Sequence, residues 1–271
     1  MNSNKLPDIF SLKNKVVILT GSAGRLGSRF AEILCNAGAN LVLVDIDQKN
    51  NLIVERKLMK TNPKNILTLT LDISKSSDIK KMIASTMNKF GKIDVLINNA
   101  HSVPRNNPKL SESFEKFPDD IWEIMVSETL RGLFLCTREV GKIMSKQNSG
   151  VVINISSIYG LVGPDQRIYG NNKLNSPVAY SVTKGGLVNM TRYLASYWHG
   201  KNIRVNTLTL GGVLDKKLHD VKFIKNYSEK TILGRMASKE DYDGALIFLA
   251  SDASSYMTGS NLIVDGGWTA W

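Results

Sequence analysis

The sequence predicts a doubly wound α/β fold: a Rossmann-like parallel sheet of about seven strands with helices on both faces. Short apolar runs of four to eight residues, rich in Val, Ile, Leu and Thr, recur along the 271 residues. Runs that are continuously apolar, not alternating, mark strands buried on both faces, the habit of parallel sheets. Segments with helical periodicity separate the runs, and strand–helix alternation repeated this often builds a parallel sheet. A glycine-rich turn directly after the first run completes the pattern.

The first strand is KVVIL at 15–19, and the turn TGSAGRLG at 20–27 leads from it into a helix. Phe30, Ile33, Leu34 and Ala37 make the buried face of that helix, and Gly38 closes it. NLVLV at 40–44 and NILTLTL at 65–71 are the second and third strands. Ile79, Met82, Ile83 and Met87 define the next helix, ended by Gly91, and IDVLI at 93–97 is the fourth strand. VVINI at 151–155 and IRVNTLTL at 203–210 follow. Ser238 and Asp241 form a capping-box pattern before ALIFLA, and NLIV at 261–264 is the last strand. No linker, low-complexity tract or repeat divides the chain, so residues 1–271 read as one domain, with 1–11 as a flexible N-terminal extension.

The formal net charge of +11 is spread over scattered lysines with no run of five or six. That pattern argues against a nucleic-acid partner and suits a phosphate-bearing ligand. No stretch approaches 18 continuous apolar residues and the N-terminus lacks an apolar signal core, so neither a membrane span nor a secretion signal is expected. Cys35 and Cys136 each lie in an apolar helical pattern and read as buried thiols in a reducing cytoplasm; no metal site is expected.

Glycines at 21, 24 and 27 let the backbone turn tightly and approach a pyrophosphate, which the free N–H groups of the following helix then meet. An acid belongs at the end of the next strand to meet ribose hydroxyls, and Asp45 stands there, 18 residues beyond Gly27. Asp45 repels a 2′-phosphate, and Ile46 and Asp47 after it offer no cation, so NAD is favoured over NADP. Arg25, inside the turn, either contacts the cofactor or faces solvent.

Tyr-x-x-x-Lys occurs three times, as Tyr169/Lys173, Tyr180/Lys184 and Tyr197/Lys201. The first pair encloses Gly170, Asn171 and Asn172, which suit a loop, and the third straddles Gly200, a helix end. Only Tyr180 and Lys184 fall inside a helix, with Ser176 as its N-cap and Pro177 as its first residue, and at i and i+4 they share one face.

Taken together, TGSAGRLG, LDIS at 71–74, NNA at 98–100, NISS at 154–157, YSVTK at 180–184, IRVN at 203–206 and TGSNLIVDGG at 258–267 resemble the short-chain dehydrogenase/reductase family, from about residue 12 to the C-terminus. The resemblance implies strand order 3-2-1-4-5-6-7, a homodimer or homotetramer, and an NAD(H)-dependent oxidoreductase that interconverts a secondary alcohol and a ketone on a small molecule. It implies cofactor contacts from Gly21, Gly24, Arg25, Leu26, Gly27, Asp45, Ile46, Asp72, Ile73, Asn98, Ala100 and Val213. Tyr180 would be the acid in reduction and the base in oxidation. Lys184 would lower its pKa and hold the nicotinamide ribose, and Ser157 would hydrogen-bond the substrate oxygen.

The chain departs from the family pattern at four places. Arg25 replaces a glycine of the turn, His101 a glycine after NNA, and Leu210 a proline. Thr129 stands seven residues beyond Trp122, where family members carry an Asn that holds a relay water. A threonine has a shorter reach and one hydroxyl, so a dinucleotide-binding sensor with little turnover is the alternative to an enzyme. Between Ser157 and Tyr180 lie 22 residues that include Arg167 and Tyr169. With His101, these are the candidate substrate contacts, for a sugar or an anionic substrate.

Overall fold

Seven parallel strands form one sheet in the order β3-β2-β1-β4-β5-β6-β7 in the computed structural model, which describes residues 8–60, 65–101, 107–170 and 175–271. The strands are β1 Val16–Thr20, β2 Asn40–Asp45, β3 Ile66–Thr70, β4 Val95–Asn98, β5 Gly150–Ser157, β6 Ile203–Leu210 and β7 Asn261–Val264. Each apolar run of the sequence became a strand, with ends moved by no more than two residues. The helices are α1 Arg25–Asn36, α2 Gln48–Met59, α3 Ser76–Phe90, α4 Asp119–Val126, α5 Gly132–Gln147, α6 Val178–Tyr197, α7 Val221–Glu229 and α8 Asp243–Ala250. A five-residue π-turn, Ser127–Arg131, joins α4 to α5.

Strand side chains alternate between two cores, because successive residues point to opposite faces of a sheet. On β1, Val17 and Leu19 pack with α1, α2 and α8 residues such as Phe30, Val54 and Leu246. Val16 and Ile18 pack on the other face with Ile79 and Met82 of α3 and with Cys136, Val140 and Met144 of α5. A continuous apolar run is thus what a strand with helices on both faces requires. Gly38 and Gly91 take the left-handed conformation that ends α1 and α3. The capping box at Ser238 and Asp241 is present, and it caps a 3₁₀ turn, Lys239–Tyr242, that feeds α8.

Two local expectations shift. Residues 1–7 of the anticipated flexible extension lie outside the described residues, whereas Ile9 is tied down, its carbonyl accepting the Ala253 amide. The helix α6 starts one residue later than expected: Pro177 is its N-cap, and Ser176 is drawn into a hydrogen bond from its amide to Gln166 Oε1 instead. Tyr180 and Lys184 nevertheless sit one turn apart, inside the helix.

Candidate active site

A cavity of about 680 Å³ opens at the carboxyl ends of the strands, where the chain reverses direction across the sheet between β1 and β4. The glycine turn forms one wall. Gly21 has φ +68°, and a methyl group there would lie 2.7 Å from the Ala100 Cα; at Gly27 it would lie 1.9 Å from the Gly21 carbonyl oxygen. Only glycine lets this turn close on itself. The N-cap of α1 is Gly24, which offers no side-chain cap, and no acid occupies the first turn. The first amides of α1 and their share of the helix dipole are therefore available to an anion in the cavity.

The NNA segment holds this turn against β4. Asn99 Nδ2 donates to the carbonyls of Thr20 and Gly21 at 3.1 and 3.0 Å, and the Ala100 amide donates to the Thr20 hydroxyl at 3.1 Å. Asn99 lines the cavity, but Asn98 does not. Its amide is 1% exposed and points into the sheet, donating to Thr137 and to Asn154 Oδ1 at 2.8 and 2.9 Å. Asn154 in turn donates to Thr191, whose hydroxyl shares a hydrogen bond with Thr207.

At the end of β2, the Asp45 carboxylate accepts the Ala23 amide at 2.8 Å and the Asp47 amide at 2.9 Å. It lines the cavity beside Ile46, with Asp72 and Ile73 on the adjoining wall. Arg25 reaches across the opening: its guanidinium lies 3.2 Å from Asp215 and 3.4 Å from the Val213 carbonyl. The sequence left Arg25 between cofactor and solvent; the fold gives it a partner on the opposite lip.

Ser157, at the end of β5, and Tyr180 and Lys184, on α6, line the inner end of the same cavity. Lys184 Nζ donates to the Ile155 carbonyl at 3.0 Å and lies 5.7 Å from the centre of the Tyr180 ring. Burial lowers its pKa to about 8, since desolvation disfavours the charged form. The close packing of Gly160 against the Lys184 backbone seats α6 on this end of β5. Of the other two Tyr-x-x-x-Lys pairs, Tyr197 ends α6 and Lys201 lies beyond its C-cap, while Lys173 lies outside the described residues.

His101 and Tyr169 line the cavity, and Arg167 does not. The Arg167 side chain is 86% exposed and forms an ion pair with Asp165 at 2.8 Å. Thr129 is fully buried behind the cavity wall and hydrogen-bonds His101 Nδ1 at 3.1 Å. The substrate end also holds residues that the sequence did not single out: Tyr159, Tyr227, His219 and Phe223. Tyr159 and Tyr169 are hydrogen-bonded through their hydroxyls, and burial raises the pKa of both. Tyr227 stacks on Trp268 at 4.3 Å and receives the Gly212 amide. Three of these four come from the segment 214–232, whose inward side chains no local pattern names.

The glycine cradle, the uncapped helix start and the strand-end carboxylate together suit a dinucleotide: two phosphates at the amides of α1 and a ribose at Asp45. Among the described residues no group of three or more His, Cys, Asp or Glu side chains could hold a metal ion, and no helix is long and apolar enough to cross a membrane.

Comparison with known proteins agrees with this geometry. A family model described as enoyl-(acyl carrier protein) reductase matches residues 21–269. Post-translational flagellin modification protein A of Campylobacter coli is 34% identical over 95% of this chain and 99% of its own length. The structure of a short chain dehydrogenase from Leptospira borgpetersenii with bound NAD+ superposes with a TM-score of 0.82 at 32% identity, covering 96% of this chain and 94% of that one. A gluconate 5-dehydrogenase from Burkholderia cenocepacia, solved with NADP and tartrate, gives a TM-score of 0.85 at 26% identity, covering 97% and 98%.

Proposed function

The chain belongs to the short-chain dehydrogenase/reductase family, and from that premise we propose that it is an NAD(H)-dependent oxidoreductase that interconverts a secondary alcohol and a ketone on a polyhydroxylated, sugar-like substrate. The observation that carries this reading is the convergence of Ser157, Tyr180 and a buried Lys184 on one end of a cavity whose other end is a dinucleotide cradle.

When bound, the nicotinamide supplies or accepts the hydride. Tyr180 gives a proton to the carbonyl oxygen in reduction and takes it back in oxidation. With a pKa of about 8, Lys184 remains largely an ammonium at neutral pH, and a cation beside the ring favours the phenolate. The Ser157 hydroxyl lines the cavity where it can donate to the same substrate oxygen as charge develops on it. The hydroxyls of Tyr159 and Tyr169 and the faces of Phe223 and Tyr227 give the substrate end both polar atoms and apolar walls, which suit a polyol. The related gluconate 5-dehydrogenase supports that substrate class. Arg167, turned outward, gives no support to an anionic group at this end.

NAD is favoured over NADP because a 2′-phosphate would face the Asp45 carboxylate and then Ile46 and Asp47. The NAD+ complex of the Leptospira relative supports this preference. We further infer a homodimer or homotetramer, supported by exposed aromatic side chains such as Phe134 on α5 and Tyr193 and Tyr197 on α6, and a cytoplasmic location, which the buried thiols of Cys35 and Cys136 suit.

The test is a fluorescence titration with NADH and NADPH, with turnover measured on a panel of C3–C6 polyols and ketoses. NADH binds at least tenfold tighter than NADPH, and Tyr180→Phe keeps NADH affinity within threefold while lowering turnover by at least 100-fold. Unchanged turnover in Tyr180→Phe rejects the mechanism. NADH binding with no Tyr180-dependent turnover of any panel member favours a dinucleotide sensor.

A further inference from the structure

We propose that His101 and Thr129 form a positioning pair that sets the ring of Tyr180; the proposal rests on the reading of Tyr180 as the acid and base. Two departures from the family pattern, 28 positions apart in sequence, meet in one hydrogen bond, His101 Nδ1 to Thr129 Oγ1 at 3.1 Å. The same imidazole also meets Tyr180: the rings stand edge to face, with centroids 5.0 Å apart and an interplanar angle of 67°. Tyr159 meets Tyr180 edge-on from another side at 6.5 Å, and Lys184 Nζ lies 5.7 Å from its centre. His101, Tyr159 and Lys184 therefore flank the Tyr180 ring, and the orientation of His101 is set by a buried hydroxyl.

The physical case has three parts. An imidazole turns about its terminal torsion until a hydrogen bond fixes it. Thr129 is fully buried, where a hydroxyl without a partner is costly, so its bond to His101 is held firmly. Thr129 also sits at the centre of the π-turn Ser127–Arg131, a rare geometry concentrated at functional sites. Proton transfer demands close control of the phenol, because misplacement by about 1 Å can lower a rate roughly 100-fold.

The experiment uses the full chain labelled with 3-fluorotyrosine, with the Tyr180 resonance assigned by its loss in Tyr180→Phe. Thr129→Val and His101→Phe each move or broaden that resonance with and without NADH, while Thr129→Ser leaves it in place. On any panel substrate turned over, each of the first two variants lowers kcat at least tenfold with NADH affinity within threefold, Thr129→Ser stays within threefold of wild type, and the double variant is no worse than the poorer single one. An unmoved Tyr180 resonance in Thr129→Val, equal damage from Thr129→Ser and Thr129→Val, or multiplicative losses in the double variant overturn the proposal. Should Thr129→Val or His101→Phe fail to fold, Thr129→Ser and His101→Asn carry the same fluorine measurement: the first must leave the resonance in place and the second must move it. A Tyr180→Phe variant with full turnover would instead reject the acid–base reading, and the fluorine result would stand apart from it.

Discussion

Lys184 illustrates how a single residue can serve chemistry at the expense of stability. Its ammonium is buried and its pKa falls from 10.5 to about 8. Below pH 8 both folded and unfolded chains carry the proton, and the folded state bears the whole penalty, on the order of 3 kcal/mol. Between pH 8 and 10.5 the folded chain releases the proton first, so the unfolded state binds more protons and stability rises with pH. Above 10.5 the penalty is gone. Lys184→Met in the cofactor-free protein therefore raises Tm at pH 7 by a few degrees, with a gain that shrinks as the pH approaches 10.5, while turnover is lost. Thermal melts at pH 7 and pH 10 check this; a lower Tm at pH 7 would mean that the hydrogen bond to Ile155 outweighs the desolvation.

At the scale of an element, the turn between β1 and α1 separates glycines that are needed from one that is convenient. The methyl group of Gly27→Ala would meet the Gly21 carbonyl oxygen at 1.9 Å, a backbone contact that cannot swing away. Overpacking of this kind costs about 1–3 kcal/mol or more. Gly24 has φ −67°, and its added methyl would approach the same oxygen only to 3.3 Å. Gly27→Ala thus loses most NADH affinity and melts well below wild type, while Gly24→Ala melts within a few degrees of it. Equal melting temperatures for the two variants would contradict the geometry. The π-turn at Thr129 is the opposite case: helical periodicity continues across it, so no local pattern in the sequence marks it.

Across the whole molecule, the buried chain Asn98–Asn154–Thr191–Thr207 links β4, β5, α6 and β6. It fixes the helix that carries Tyr180 to the strands that form the cavity floor. Asn98→Ala leaves buried partners unsatisfied and lowers stability by about 1–3 kcal/mol, yet changes NADH affinity less than threefold because Asn98 does not line the cavity. Urea unfolding and an NADH titration measure the two effects; a large loss of affinity in a stable variant would restore Asn98 to the cofactor site. The Arg25–Asp215 ion pair acts on the same scale, joining the glycine turn to the lip 190 positions away.

Strand runs, helix faces, the glycine turn and the capping box at Ser238 are local patterns, set by unbroken apolar runs, by the 3.6-residue period and by what glycine alone can adopt. They were legible before any coordinates, and with them came the seven strands and the Tyr180–Lys184 pair. The resemblance of linked motifs supplied the strand order. The direction in which a side chain points within a motif depends on neighbours distant in sequence. Parallel pairing turned Asn98 inward and left Asn99 at the cavity; Asp165 drew Arg167 out to solvent; and a hydrogen bond spanning 28 residues joined His101 to Thr129. Local order follows from the chain's own geometry, whereas the lining of the site follows from which buried polar atoms must find partners across the sheet.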